Sequence, residues 1–182
     1  EVKPTLNKAP SIDEAGTVAF IASNSLYGGT YRLLVASQPG AETFAEYTQV
    51  EASLGLTGAQ QIGTFTNGKL AYLAASPAGS TIYRWEGGAP VVVQSGTAAD
   101  DAPAMNGFGE VTFLQDVPRA IVVTDGENRE EVATLDTVFN DGTEIYNLTR
   151  PAPDIDGVGR VAYRAGIDPA DCNDQIVLSG TN

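Results

Sequence analysis

The chain has 182 residues, no histidine, one cysteine and a net charge of −13, with 42% hydrophobic and 18% charged residues. Its length suits one domain with a proper hydrophobic core; the scattered basic residues leave no concentrated positive charge for nucleic acid or an anionic membrane surface, and no apolar run approaches a membrane span. Without histidine, Ser-His-Asp and Cys-His systems and imidazole metal sites are excluded, and the lone Cys172 permits no intrachain disulfide.

Two short extended stretches open the chain, Glu1-Val-Lys-Pro-Thr-Leu6 and Ala9-Pro-Ser-Ile-Asp13. A phrase follows, Asp13-Glu-Ala-Gly-Thr-Val-Ala-Phe20, whose second half predicts a strand over 18–22, then strands over 30–35 and 48–54. A weaker copy, Thr66-Asn-Gly-Lys-Leu-Ala-Tyr72, leads into strands predicted at 69–74, 81–85 and 90–94. The third copy, Asn106-Gly-Phe-Gly-Glu-Val-Thr-Phe113, starts strands at 110–114, 120–124 and 131–134, and the fourth, Asp156-Gly-Val-Gly-Arg-Val-Ala-Tyr163, starts strands at 160–164 and 175–178. No segment carries a helical apolar stripe; residues 41–52 come nearest and offer a turn or two at most.

The marker glycines of the four copies, Gly16, Gly68, Gly109 and Gly159, are 52, 41 and 50 residues apart, the spacing of one propeller blade. This predicts a single all-β domain over 1–182, a four-bladed β-propeller. The last blade lacks a third strand downstream, so the N-terminal strand is expected to close the ring by pairing with the C-terminal hairpin, which removes exposed strand edges. The phrase has a physical reason. An Asx side chain folds back on backbone amides and glycine takes the left-handed conformation, so Asp13, Asn106 and Asp156 read as turn makers before they read as ligands. The aromatic that ends each copy (Phe20, Tyr72, Phe113, Tyr163) is expected to pack between neighbouring blades.

These copies resemble the NxxGxxAF repeat of bacterial secreted and surface proteins, a phrase preceded by a proline, here Pro10, Pro103 and Pro153. The second copy departs from it, with Phe65 at the Asx position and no preceding proline, so its turn is expected to be built differently. The resemblance covers nearly the whole chain; it implies a propeller-like β fold and an exported, extracellular or cell-surface protein, and it brings no catalytic residues with it.

Chemistry is thinly signalled. The residues 168–174 offer four oxygen side chains, Asp168, Asp171, Asn173 and Asp174, a candidate calcium loop, against the alternative of a solvated turn. Asp154-Ile-Asp156-Gly157 begins like a calcium loop but lacks its later ligands. Tyr27, Tyr47 and Phe108 lie in or near loops where rings stack on sugars, whereas Trp85 reads as interblade core. The leading functional reading is a non-enzymatic binding or assembly module for a glycan or a protein, with no membrane insertion. The alternatives are a carbohydrate-active enzyme with two carboxylates at the channel mouth, and a subunit of an extracellular assembly, including a half-ring whose open ends pair with a second copy.

Overall fold

The structure, a computed structural model, describes residues 3–4, 9–23, 31–36, 47–50, 59–76, 79–96, 101–167 and 174–179. Among these residues there is no helix, and none is long and apolar enough to cross a membrane. Sixteen strands form four antiparallel sheets that follow one another along the chain. The first holds β1 (Lys3–Pro4), β2 (Ser11–Ile12), β3 (Val18–Ser23), β4 (Tyr31–Ala36) and β5 (Tyr47–Gln49). The second holds β6 (Ala59–Thr66), β7 (Lys69–Ser76), β8 (Gly79–Trp85) and β9 (Val91–Ser95). The third holds β10 (Ala104–Met105), β11 (Val111–Gln115), β12 (Ala120–Thr124) and β13 (Arg129–Thr134); the fourth holds β14 (Asn147–Ile155), β15 (Val161–Gly166) and β16 (Gln175–Leu178).

Each phrase occupies the hairpin turn before a strand read as first in its unit, joining β2 to β3, β6 to β7, β10 to β11 and β14 to β15, as in Met105 opposite Val111 and Ile155 opposite Val161. The strands read as first in each unit are therefore preceded by another strand of the same sheet. The strands before them escape the sequence because they are short or broken: β14 contains Pro151 and Pro153 and shifts register between Thr149 and Asp154, and β6 shifts register twice around Gln61 and Gly63. A bulge destroys the period-two alternation on which strand recognition depends.

One expectation is overturned. Among the described residues the N-terminal strands pair with the first sheet and not with the C-terminal hairpin; Lys3 and Pro4 of β1 face Ser23 and Ala22, and Ser11 and Ile12 of β2 face Ala19 and Val18, all on β3. The physical reason is local. The turn at 13–16 folds β2 straight back on β3, and a five-residue connection costs far less closure entropy than joining the two ends of the chain. The fourth sheet consequently has three strands in the described residues, ordered β14-β15-β16.

Three apolar layers lie between successive sheets. Ala19, Ile21, Leu33 and Val35 of the first sheet meet Leu70, Tyr72, Tyr83 and Trp85 of the second. The opposite face of the second sheet (Ala71, Leu73, Ile82, Val93) meets Val111, Phe113, Ala120 and Val122 of the third. The third then turns Leu114, Ile121 and Ala133 toward Leu148, Val161, Tyr163 and Ala165 of the fourth. Strands sandwiched on both sides lose the alternation of a half-buried strand, and all five residues of β11 are buried. Trp85 and three of the four phrase aromatics, Tyr72, Phe113 and Tyr163, sit in these layers, with Tyr72 stacked on Tyr83 at 5.3 Å between ring centroids.

Candidate functional site

The four phrase turns line up along one end of the stack. In three of them a single Asx oxygen holds the loop: Asp13 Oδ1 accepts from the amides of Ala15 (3.0 Å) and Thr17 (2.8 Å), Asn106 Oδ1 from Phe108 and Glu110 (both 3.1 Å), and Asp156 Oδ1 from Val158 (3.0 Å) and Arg160 (2.9 Å). Gly16, Gly109 and Gly159 all have positive φ, the conformation these turns demand. The second copy solves the same problem with Asn67 (φ 49°) and Gly68 (φ 71°), the paired left-handed residues of a two-residue hairpin loop.

At this end side chains stitch the first sheet to the second and the second to the third. Glu14 accepts from the Thr66 hydroxyl (2.7 Å) and the Asn67 amide (2.9 Å), and these bonds hold its carboxyl below the ordinary value. Arg84 Nη1 donates to the carbonyls of Gly109 and Asp125, each at 2.9 Å, so one guanidinium on β8 fixes two loops of the third sheet. Lys69 and Arg84 share Glu86 on the same end, at 3.5 and 3.0 Å. Asp125 closes its own loop through the amides of Asn128 (2.7 Å) and Glu127 (2.8 Å) and the Asn128 side chain (2.8 Å), and these donors, Asn128 foremost, lower its pKa to about 2. Beside it opens a cleft of about 280 Å³ lined by Asp125 with Glu110, Thr124, Asn128, Arg129 and Glu130.

The turn tips point outward. Phe108 is 75% exposed and Val158, at the equivalent place in the fourth turn, 68% exposed. Phe108 is therefore presented to solvent as the sequence suggested. Tyr47 contributes its backbone to β5, while its side chain lies outside the described residues, as does all of Tyr27. Of the candidate calcium ligands, Asp168, Asp171 and Asn173 lie outside the described residues, with Cys172. Asp174 is described: its Oδ2 accepts from the Thr149 hydroxyl (2.7 Å) and lies 3.1 Å from Arg164 Nε. No group of three metal-ligating side chains gathers among the described residues. The bridging residues Glu14 and Arg84 carry no local motif, since their partners are 52 to 53 and 25 to 41 positions away in sequence.

Compared with known protein families and with curated proteins, the chain gives no match.

Proposed function

We propose that the chain is a non-enzymatic binding module in which the four sheets are blades of a propeller, acting outside the cell and recognising a glycan or a protein through its turn face. The observation that carries this reading is the pair of apolar tips, Phe108 and Val158, held out to solvent by turns whose polar groups are already spent on their own backbone. Rigid turns that display an aromatic ring and a neighbouring cleft supply what sugar stacking and peptide contact both require. The resemblance to secreted repeat proteins supports the extracellular part of this reading.

The enzymatic alternative needs a carboxylic acid whose pKa is raised so that it donates a proton near neutrality. Among the described residues, the carboxylates that are displaced from their ordinary values, Glu14, Asp125, Asp141 and Asp156, all move down, each because hydrogen bonds favour the anion. Such groups make turns and pair with cations; they do not act as general acids.

The test is a glycan array probed with the purified protein, with calcium and with EDTA, alongside Phe108→Ala. Binding to a defined glycan class that Phe108→Ala weakens at least tenfold supports the reading; loss in EDTA as well would bring in Asp168, Asp171, Asn173 and Asp174 as calcium ligands. Binding that Phe108→Ala leaves unchanged, or no glycan bound in either buffer, removes the turn face as a sugar site and leaves the protein-binding form of the proposal to its own test.

A further inference from the structure

Each phrase places one residue at the tip of its turn, immediately before the marker glycine: Ala15, Asn67, Phe108 and Val158, all exposed. Successive tips belong to successive sheets, and the second and third bring an amide beside an aromatic ring. Phe108 stands between Gly107 and Gly109, and the space that their missing side chains leave is taken by polar groups of the second sheet. A Cβ on Gly107 would stand 2.7 Å from Nδ2 of Asn67, and one on Gly109 would stand 3.3 Å from Nη1 of Arg84 and 3.5 Å from Nζ of Lys69. The ring therefore rises from a backbone that polar side chains approach at the residues on both sides of it.

These groups differ in what they have left to give. Arg84 spends Nη1 on the carbonyls of Gly109 and Asp125, and shares Glu86 with Lys69. The backbone amide of Asn67 is bound by Glu14, whereas its side-chain amide makes no hydrogen bond to another described residue. The hairpin loop already fixes the backbone of Asn67, and the Asn106 carbonyl oxygen of the side chain fixes that of Phe108, so little order has to be gained when something binds between them. Charge narrows what that can be. Beside the cations Lys69 and Arg84 stand the carboxylates of Glu14, Glu86 and Glu110, which leaves no surplus of positive charge.

We propose that Phe108 and Asn67 together form a sugar subsite and that it takes an uncharged pyranose. A pyranose offers an apolar C–H face and a rim of hydroxyls. The C–H face stacks on the Phe108 ring while rim hydroxyls bond to the Asn67 amide, which donates through Nδ2 and accepts through Oδ1. Glu86, exposed and held by Lys69 and Arg84, supplies an acceptor on the Gly109 side. A uronic acid or a sulfated sugar would meet the three carboxylates and find both cations already paired, so repulsion disfavours it. The fourth turn is the contrast within the molecule: its tip is the aliphatic Val158, and nothing lies within 4 Å of where a Cβ on Gly157 would stand, so it offers neither ring nor amide.

The subsite rests on the glycan form of the proposed function, and the test separates the two. A panel of α- and β-linked neutral hexose oligosaccharides and their hexuronate counterparts is titrated, by NMR, into the chain and into Phe108→Ala, Asn67→Gly, Gly107→Ala and Val158→Ala, each checked for folding by circular dichroism. Asn67→Gly keeps a residue suited to the left-handed turn and removes only the amide. Gly107→Ala keeps the amide but displaces it, since the atom its Cβ meets is the end of a side chain. The expected result is a neutral oligosaccharide bound more tightly than its hexuronate counterpart and weakened about five- to tenfold by both Asn67→Gly and Gly107→Ala, the loss of one or two hydrogen bonds, with Val158→Ala unchanged. Weakening in Phe108→Ala without weakening in Asn67→Gly and Gly107→Ala overturns the subsite and leaves the glycan reading in place, and a preference for the hexuronates overturns the uncharged ligand. Binding that Phe108→Ala leaves unchanged, or no sugar of the panel bound, overturns the subsite together with the glycan reading.

Discussion

Gly63→Ala is the smallest change with the largest structural consequence. Gly63 lies on β6 where it crosses the segment leading into β10, and a Cβ there would stand 1.8 Å from the carbonyl oxygen of Pro103, 2.9 Å from its carbon and 3.0 Å from the carbonyl oxygen of Ala71. All three are backbone atoms, so no side chain can swing away. Ordinary contact distance requires the second and third sheets to part locally by more than about 1 Å, which also breaks the bond from the Thr64 amide to the Pro103 carbonyl, 3.3 Å long. Overpacking costs about 1–3 kcal/mol and the lost hydrogen bond about 1 kcal/mol more, giving about 3 kcal/mol. For a domain of this size that lowers the melting temperature by about 6–12 °C. Gly88→Ala is the control, having open space around it and no positive φ, and it should stay within about 0.5 kcal/mol. Urea denaturation monitored through Trp85 measures both. If Gly63→Ala falls within about 1 kcal/mol of the control, the close crossing of the second and third sheets is wrong.

Arg84→Met keeps the aliphatic stem but removes both bonds to the carbonyls of Gly109 and Asp125. It is expected to cost about 2–4 kcal/mol in the same assay, and a cost below about 0.5 kcal/mol would show that the arginine does not brace the third sheet. Acid stability follows from Glu14, Asp125, Asp141 and Asp156, whose folded-state values are depressed, that of Asp125 to about 2. The unfolded chain binds protons first as pH falls, so their contribution is fully present above the ordinary carboxylate range near pH 4 and is lost as pH drops through the folded values. The denaturation midpoint should therefore decline between about pH 4 and pH 2, less steeply in Asp125→Asn, and a midpoint flat across that window would contradict the turn hydrogen bonds.

Much of this architecture is legible in the sequence because its signals are local. Asp13, Asn106 and Asp156 satisfy amides two and four residues away, and in three of the four copies the aromatic four past the glycine lands in an intersheet layer, as strand alternation places it. The departure of the second copy was visible too, since Asn67-Gly68 is itself a hairpin signal. What stayed hidden depends on the neighbours of each strand. The two residues of β10 pair only because β11 is beside them, and the place of the N-terminal strands depends on which of two partners is cheaper to reach. The exposed Phe108 could be anticipated from the turn, whereas Arg84 and Glu14 could not, because what they touch comes from other sheets. The exposure of Ile176 and Leu178 was hidden as well, because an uncharged Gln-Ile-Val-Leu strand reads equally as a buried one.

The arrangement of layers also decides where the molecule opens first. Among the described residues, apolar intersheet layers lie on both faces of each of the two inner sheets and on one face of each end sheet. Stability in such a stack is close to a sum of sheet terms and nearest-neighbour interface terms, so an inner sheet comes apart only by breaking two interfaces and an end sheet by breaking one. Amide hydrogen exchange should therefore grade along the chain: slowest at β7, β8, β11 and β12, faster at β3 and β4, and faster again at β15 and β16, where the described residues place no fourth strand beside β16. Leu114→Ala, which removes a fully buried side chain from the layer between the third and fourth sheets, should cost about 2–5 kcal/mol and speed exchange in β15 and β16 more than in β7 and β8. If every sheet instead exchanged at one common rate through global unfolding, and Leu114→Ala accelerated all of them equally, the four sheets would be a single cooperative unit and the nearest-neighbour picture would have to be given up.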